Sequence, residues 1–267
     1  MSANLKYVPV VVTPGAGQIH SVYRSTINFT LKGKLFSLQS ALAACSPVSF
    51  VATQDVLPRC RLGENVAWDG HTLKIGGLSF AADQAEHFSG ILPIGRFCPL
   101  PERTVLPVST SFFGGSAASH TEAQEIMLCL SKTIKTGNWT DAAEVASEML
   151  GLGCGLTPSG DDWLTGLLAL LHFTALQADS AVFLRALCAQ LSARLHETND
   201  VSARFLELAC AGRFSAPICA LFSAWHNGDA SGLVRAVSQV LRLGHTSGAD
   251  TLAGIRFLYD HLKCGRE

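Results

Sequence analysis

The chain changes its pattern once, and that change narrows the folds open to it. Over residues 19–94, short runs rich in β-branched and aromatic residues alternate with Pro and Gly punctuation, the pattern of strands and turns. Segments 25–31 and 35–38, parted by Gly33, read as a hairpin; 48–52, 66–68, 72–75 and 78–81 read as further short strands, with Asp69-Gly70 a tight turn. Pro93, Pro99, Pro101 and Pro107, then Gly114-Gly115, mark a connector. Beyond it, apolar residues recur at helical spacing through 122–136, 140–150, 161–176, 181–196, 202–210, 216–227, 231–241 and 248–262. Strands gathered at one end and helices at the other predict an α+β chain. A mostly antiparallel β-rich domain is expected over 1–114 and an all-α domain over 115–267, with the boundary near Gly115.

Within the helical half one pattern occurs twice. Ser159-Gly160-Asp161-Asp162-Trp163-Leu164-Thr165-Gly166 and Ser247-Gly248-Ala249-Asp250-Thr251-Leu252-Ala253-Gly254 both read S-G-x-D-x-L-x-G, each preceded by a Thr (Thr157, Thr246) and a Gly (Gly155, Gly244). Each copy leads from a loop of small residues into an apolar run, so each is expected to start a helix. A helix start carries unpaired N–H groups and partial positive charge, and two of them together can hold a phosphate or carboxylate. The same Ser-to-Asp spacing also describes a helix that caps itself. Capping needs neither glycine, however, and Gly costs about 1 kcal/mol against Ala inside a helix. The glycines therefore predict a close approach to the backbone, and binding is the preferred reading.

Composition excludes several other roles. With 267 residues and 48% apolar content, the chain can bury a substantial core. Only 15% of residues are charged and the net charge is −1, which provides no footprint for nucleic acid or an acidic membrane surface. So apolar a chain with so little surface charge is expected to cover surface in a complex, with itself or with other subunits. The nine cysteines contain no C-x-x-C pair and read as reduced core thiols, and neither a leader-like apolar run at the start nor a membrane-length run occurs. The expected location is cytoplasmic.

Asp161, Asp162 and Asp250 stand beside loops otherwise suited to anions. A carboxylate there repels an anionic substrate unless it accepts from substrate NH₂ groups or holds a divalent cation such as Mg²⁺ against substrate oxygens. Both options stay open, beside plain compensation of the helix dipole. His245, in a tight loop, is a candidate donor or general acid; the other histidines show no metal-ligand spacing. Cys154 has no basic partner identifiable by spacing and reads as a small turn residue. Thr198 and Ser202 flank Asn199 and Asp200 before a helix, as extra donors or as an N-cap. Arg24 and Asn28, four apart on the first strong strand, are expected to share a face where the Arg can grip a carboxylate.

The run Gly151-Leu152-Gly153-Cys154-Gly155-Leu156-Thr157-Pro158-Ser159-Gly160-Asp161-Asp162, the segment from Thr198 to Ser202, the run from Gly244 to Leu252, and Arg24-Ser25-Thr26-Ile27-Asn28-Phe29 together resemble the DUF2877 family. That family includes the AllH-type subunit of oxamate carbamoyltransferase, which serves anaerobic allantoin degradation. The resemblance implies a carbamoyltransferase subunit that interconverts oxalurate plus phosphate with oxamate plus carbamoyl phosphate, in complex with other subunits. Joined to the reading of the residues, it makes Asp162, Asp250 and His245 the catalytic candidates. Gly155, Thr157, Ser159, Gly160, Asp161, Thr198, Ser202, Thr246, Ser247, Gly248, Arg24 and Asn28 would contact substrate. The alternative is a non-catalytic structural subunit, or one that binds an effector anion.

Overall fold

The computed structural model describes residues 2–40, 44–54, 57, 59–95, 99–100, 106 and 117–264. The chain divides into two compact units, Met1–Gly90 and Ile91–Glu267. The boundary expected near Gly115 lies outside the described residues.

The first unit is a β-barrel. Among the described residues nine strands form it: β1 (Ser2–Pro9), β2 (Gly15–Val22), β3 (Thr26–Leu31), β4 (Lys34–Gln39), β5 (Ser49–Ala52), β6 (Asn65–Trp68), β7 (Thr72–Ile75), β8 (Leu78–Ala81) and β9 (Glu86–Phe88). They run in the order β5-β4-β3-β2-β6-β7-β8-β1, and β1 pairs back onto β5 to close the ring, with β9 added alongside β1. Pairing is antiparallel except at β1–β8, β4–β5 and β1–β9. Local chemistry sets the hairpins. β3 and β4 pair from Leu31↔Lys34 onward across Lys32 and Gly33, both at positive φ (49° and 76°), the geometry whose twist matches the flanking strands. Between β6 and β7, the Asp69 carboxylate accepts from the His71 and Thr72 N–H groups at 2.9 and 2.7 Å. Phe29, Phe36, Phe50 and Trp68 fill the core, with the Phe50 and Trp68 rings 5.2 Å apart. An eight-stranded ring is narrow enough for side chains to fill.

The second unit is helical: α1 (Ala117–Lys135), α2 (Trp139–Ser147), α3 (Ser159–Phe173), α4 (Ala178–Arg194), α5 (Asp200–Cys210), α6 (Ala216–His226), α7 (Ala230–Val240) and α8 (Ser247–Cys264). Every residue of α3 is buried except Asp162, Thr165 and His172, because the helix is apolar on all sides and can satisfy that only at the centre of the unit. Asn138, Asn199 and Asp229 cap α2, α5 and α7 with side-chain oxygens that accept N–H groups of the first turn. No described helix is long and apolar enough to cross a membrane. Of the cysteines expected in the core, Cys45 is buried, whereas Cys129 and Cys154 are exposed.

The two copies of the motif open α3 and α8, and their glycines place backbone against backbone. A Cβ on Gly166 would stand 1.9 Å from the Thr251 carbonyl oxygen of α8, and one on Gly254 would stand 2.0 Å from that of Trp163 on α3. The first glycines correspond as well: a Cβ on Gly160 would meet Met149 O at 2.0 Å, and one on Gly248 would meet Val240 O at 1.9 Å. The hydrogen bonds repeat too. Leu152 N donates to Met149 O and Gly160 N to Leu152 O; Leu243 N donates to Val240 O and Gly248 N to Leu243 O. The duplication thus includes the turn leading into each helix, although the first copy has a longer loop. The close approach expected at these glycines is made by the protein's own main chain.

Candidate functional site

The starts of α3 and α8 meet through their hydroxyls. Thr157 and Ser247, ninety positions apart, bring their side-chain oxygens to 2.9 Å, and Thr157 Oγ1 also donates to Asp162 Oδ2 at 2.9 Å. The Ser247 hydroxyl lies near Asp162 as well, while the Ser159 and Thr246 hydroxyls lie near Asp250. The serine of each copy therefore stands beside the aspartate of the other. α3 does not follow the self-capping pattern that the spacing allows. α3 has Pro158 at its N-cap with no side-chain capping bond, and Ser159 is already inside the helix.

The three aspartates differ in what surrounds them. Asp161 is buried and saturated: Oδ1 accepts Gly151 N–H at 2.7 Å, and Oδ2 accepts the Thr198 and Ser202 hydroxyls at 2.5 Å each. It ties the start of α3 to the start of α5 and to the turn after α2. Thr198 and Ser202 are thus committed to Asp161, and Asn199 between them is the cap of α5. Asp162 is half-buried. Removal from water pushes its pKa up to about 7, helped by the charges of Asp250 and Asp161 and opposed by the Ser247 and Thr157 hydroxyls. Asp250 is 1% exposed, and neither carboxylate oxygen makes a hydrogen bond within ordinary limits of distance and angle. Burial raises its pKa, and the nearby hydroxyls of Ser159 and Thr246 offset this only in part. Among the described residues no ion pair joins a Lys or Arg to any of the three.

Several expected participants are already bonded or are exposed. The Gly160, Asp161, Asp162, Gly248 and Asp250 N–H groups are taken by carbonyls of Leu152, Pro158, Leu243 and Thr246, which leaves fewer free main-chain donors than two bare helix starts provide. Gly155 is exposed with φ 109°, and His245 is exposed in the turn before α8. Arg24 and Asn28 belong to the barrel unit and do not share a strand face. Tyr23 N bonds Thr26 O at 2.8 Å, so β3 starts at Thr26 and Arg24 lies in the exposed turn before it. Asn28 is buried on β3, with Nδ2 donating to Ser21 Oγ at 3.1 Å. The sequence reading missed Gly151 as a partner of Asp161 and missed the exchange of serines between motifs. The signal for the second was present in the motif itself, since a Ser three residues before an Asp in both copies is what an exchange between two facing helices requires.

Comparison with known proteins places this arrangement. No solved structure matches the chain. A family model described as oxamate carbamoyltransferase subunit AllH matches residues 149–259, which include all three aspartates and the hydroxyls of Thr157, Ser159, Thr198, Ser202, Thr246 and Ser247. A second, described as the AllH family N-terminal domain, matches residues 6–87, the barrel. Together the two span most of the sequence, as the resemblance implied, and the chain belongs to the AllH family.

Proposed function

We propose that the chain is a subunit of an oxamate carbamoyltransferase and that the junction of α3 and α8 is where it meets substrate. The observation carrying this reading is the Thr157–Ser247 contact at 2.9 Å, which joins the two motif copies around Asp162 and Asp250. In the reaction, a phosphate oxygen bonds to the carbamoyl carbon of oxalurate and the bond from that carbon to the amide nitrogen breaks. The nitrogen takes up the proton that hydrogenphosphate gives up, leaving oxamate and carbamoyl phosphate. Hydroxyls of Thr157, Ser159, Thr246 and Ser247 supply preorganised polar contacts to the developing oxyanion. Asp162 and Asp250 engage the positively polarised side of the reacting group. His245, in the turn leading into α8, is proposed to relay that proton, taking it from hydrogenphosphate and giving one to the leaving nitrogen. Partner subunits and a cytoplasmic setting in allantoin breakdown belong to the same proposal, which the subunit description of the matching family supports.

Titrating carbamoyl phosphate and oxalurate into the complex purified with its co-subunits tests the assignment. Affinity should fall at least about tenfold in Ser247→Ala and in Asp250→Asn, the loss expected when polar groups built to meet a ligand lose a partner. Unchanged affinity in both variants would instead favour a scaffolding subunit. That second reading has its own support, because main-chain packing already accounts for all four motif glycines and Asp161 is wholly occupied inside the protein.

A further inference from the structure

We propose that Asp162 and Asp250 together hold a divalent cation of the Mg²⁺ class at the junction of α3 and α8. The proposal rests on the assignment of that junction as the substrate site and specifies how it takes an anion. The starting observation is Asp250, 1% exposed with both carboxylate oxygens lacking a hydrogen-bond partner. A buried carboxylate left unpaired is costly, and native proteins keep such groups where an ion, a water or a catalytic role accounts for them. Its surroundings select among these. The neighbouring side chains are oxygen donors: the hydroxyls of Ser159 and Thr246 near Asp250, those of Thr157 and Ser247 near Asp162, and the second carboxylate itself. Among the described residues no Lys or Arg is paired with either aspartate.

An all-oxygen set of this kind suits a hard cation and disfavours zinc or copper. Among the described residues no cluster of three or more His, Cys, Asp or Glu forms a protein-only cage. Mg²⁺ does not need one: it is held by one or two carboxylates and fills its other positions with water or substrate phosphate oxygens. A cation here lets two carboxylates and an anionic substrate share one site. Asp161 stays outside the set because all of its neighbours are already bonded to it.

The test is Mn²⁺ binding to the full-length chain, followed by the loss of the free-ion electron paramagnetic resonance signal, with Mg²⁺ as competitor. One Mn²⁺ per chain, displaced by Mg²⁺, is expected. Asp162→Asn and Asp250→Asn should each weaken it at least about tenfold, and Asp229→Asn, an exposed acid on another helix, should leave it unchanged. Circular dichroism checks that the isosteric variants keep their helices. No Mn²⁺ bound by the natural chain, or equal binding by all variants, overturns the proposal. If Mn²⁺ is absent yet Asp250→Asn abolishes transfer in the complex, the cation fails and the substrate site stands. If Mn²⁺ binds as described while transfer survives both variants, the cation stands and the assignment of the substrate site fails.

Discussion

Three aspartates of one type, within one turn of two facing helices, have three different chemistries because burial and partners differ. Asp161 has every oxygen satisfied, so it acts in stability. Asp161→Ala leaves the half-buried Gly151 N–H and Thr198 hydroxyl and the buried Ser202 hydroxyl without their acceptor, and a stranded buried group costs about 1–3 kcal/mol. A loss of about 3 kcal/mol in urea unfolding is expected; a variant as stable as the parent would show that the staple contributes nothing. Asp162 behaves differently. Its pKa is raised from 3.8 to about 7, so the folded chain keeps a proton that the unfolded chain has released. Below pH 3.8 both states are protonated and the group is neutral to stability; from there to about pH 7 stability falls as pH rises, and above that the full cost is present. Asn cannot ionise. In chelator, Asp162→Asn should therefore match the parent in acid and exceed it above neutrality. A gain independent of pH would assign the effect to packing instead.

At the scale of elements, the crossing of α3 and α8 sets two effects of a glycine against each other. Replacing a helical Gly by Ala ordinarily gains about 1 kcal/mol. At Gly166 and Gly254 the added carbon would lie 1.9 and 2.0 Å from a carbonyl of the other helix, a contact that only separation of the helices relieves. Overpacking of that kind costs about 1–3 kcal/mol or more. Each Gly→Ala variant should therefore lower the melting temperature, and a rise would mean that the helices are not this close. Doubled glycines announced a close approach in the sequence, but they could not say what approaches, because a ligand and a neighbouring helix need the same missing Cβ. Helix positions were legible from apolar spacing, since each of the eight has a strong stripe or a buried run. Of the hydroxyl exchange between motifs the sequence carries only the Ser-to-Asp spacing, because the exchange itself depends on which helices face each other.

For the molecule as a whole, the order of strands then helices was readable, while closure of the barrel was not. β1 carries little alternation around Leu5 and Val8, and its pairing with β5 joins residues such as Leu5 and Ala52 far apart in sequence. No local pattern reports such a contact. Closure leaves the barrel with its own core and few open edges. A chain of residues 1–90 is accordingly expected to fold alone, with cooperative loss of its β circular dichroism on heating; a signal without a transition would show that the barrel depends on the rest of the protein. In the helical unit, the junction of α3 and α8 is the place proposed for contact with substrate. The most direct test of that placement is the rate of carbamoyl transfer by the complex reassembled with Asp250→Asn in place of the natural chain. A fall of about 100-fold or more is expected, with assembly and melting temperature preserved. An unaltered rate in the intact complex would contradict the placement.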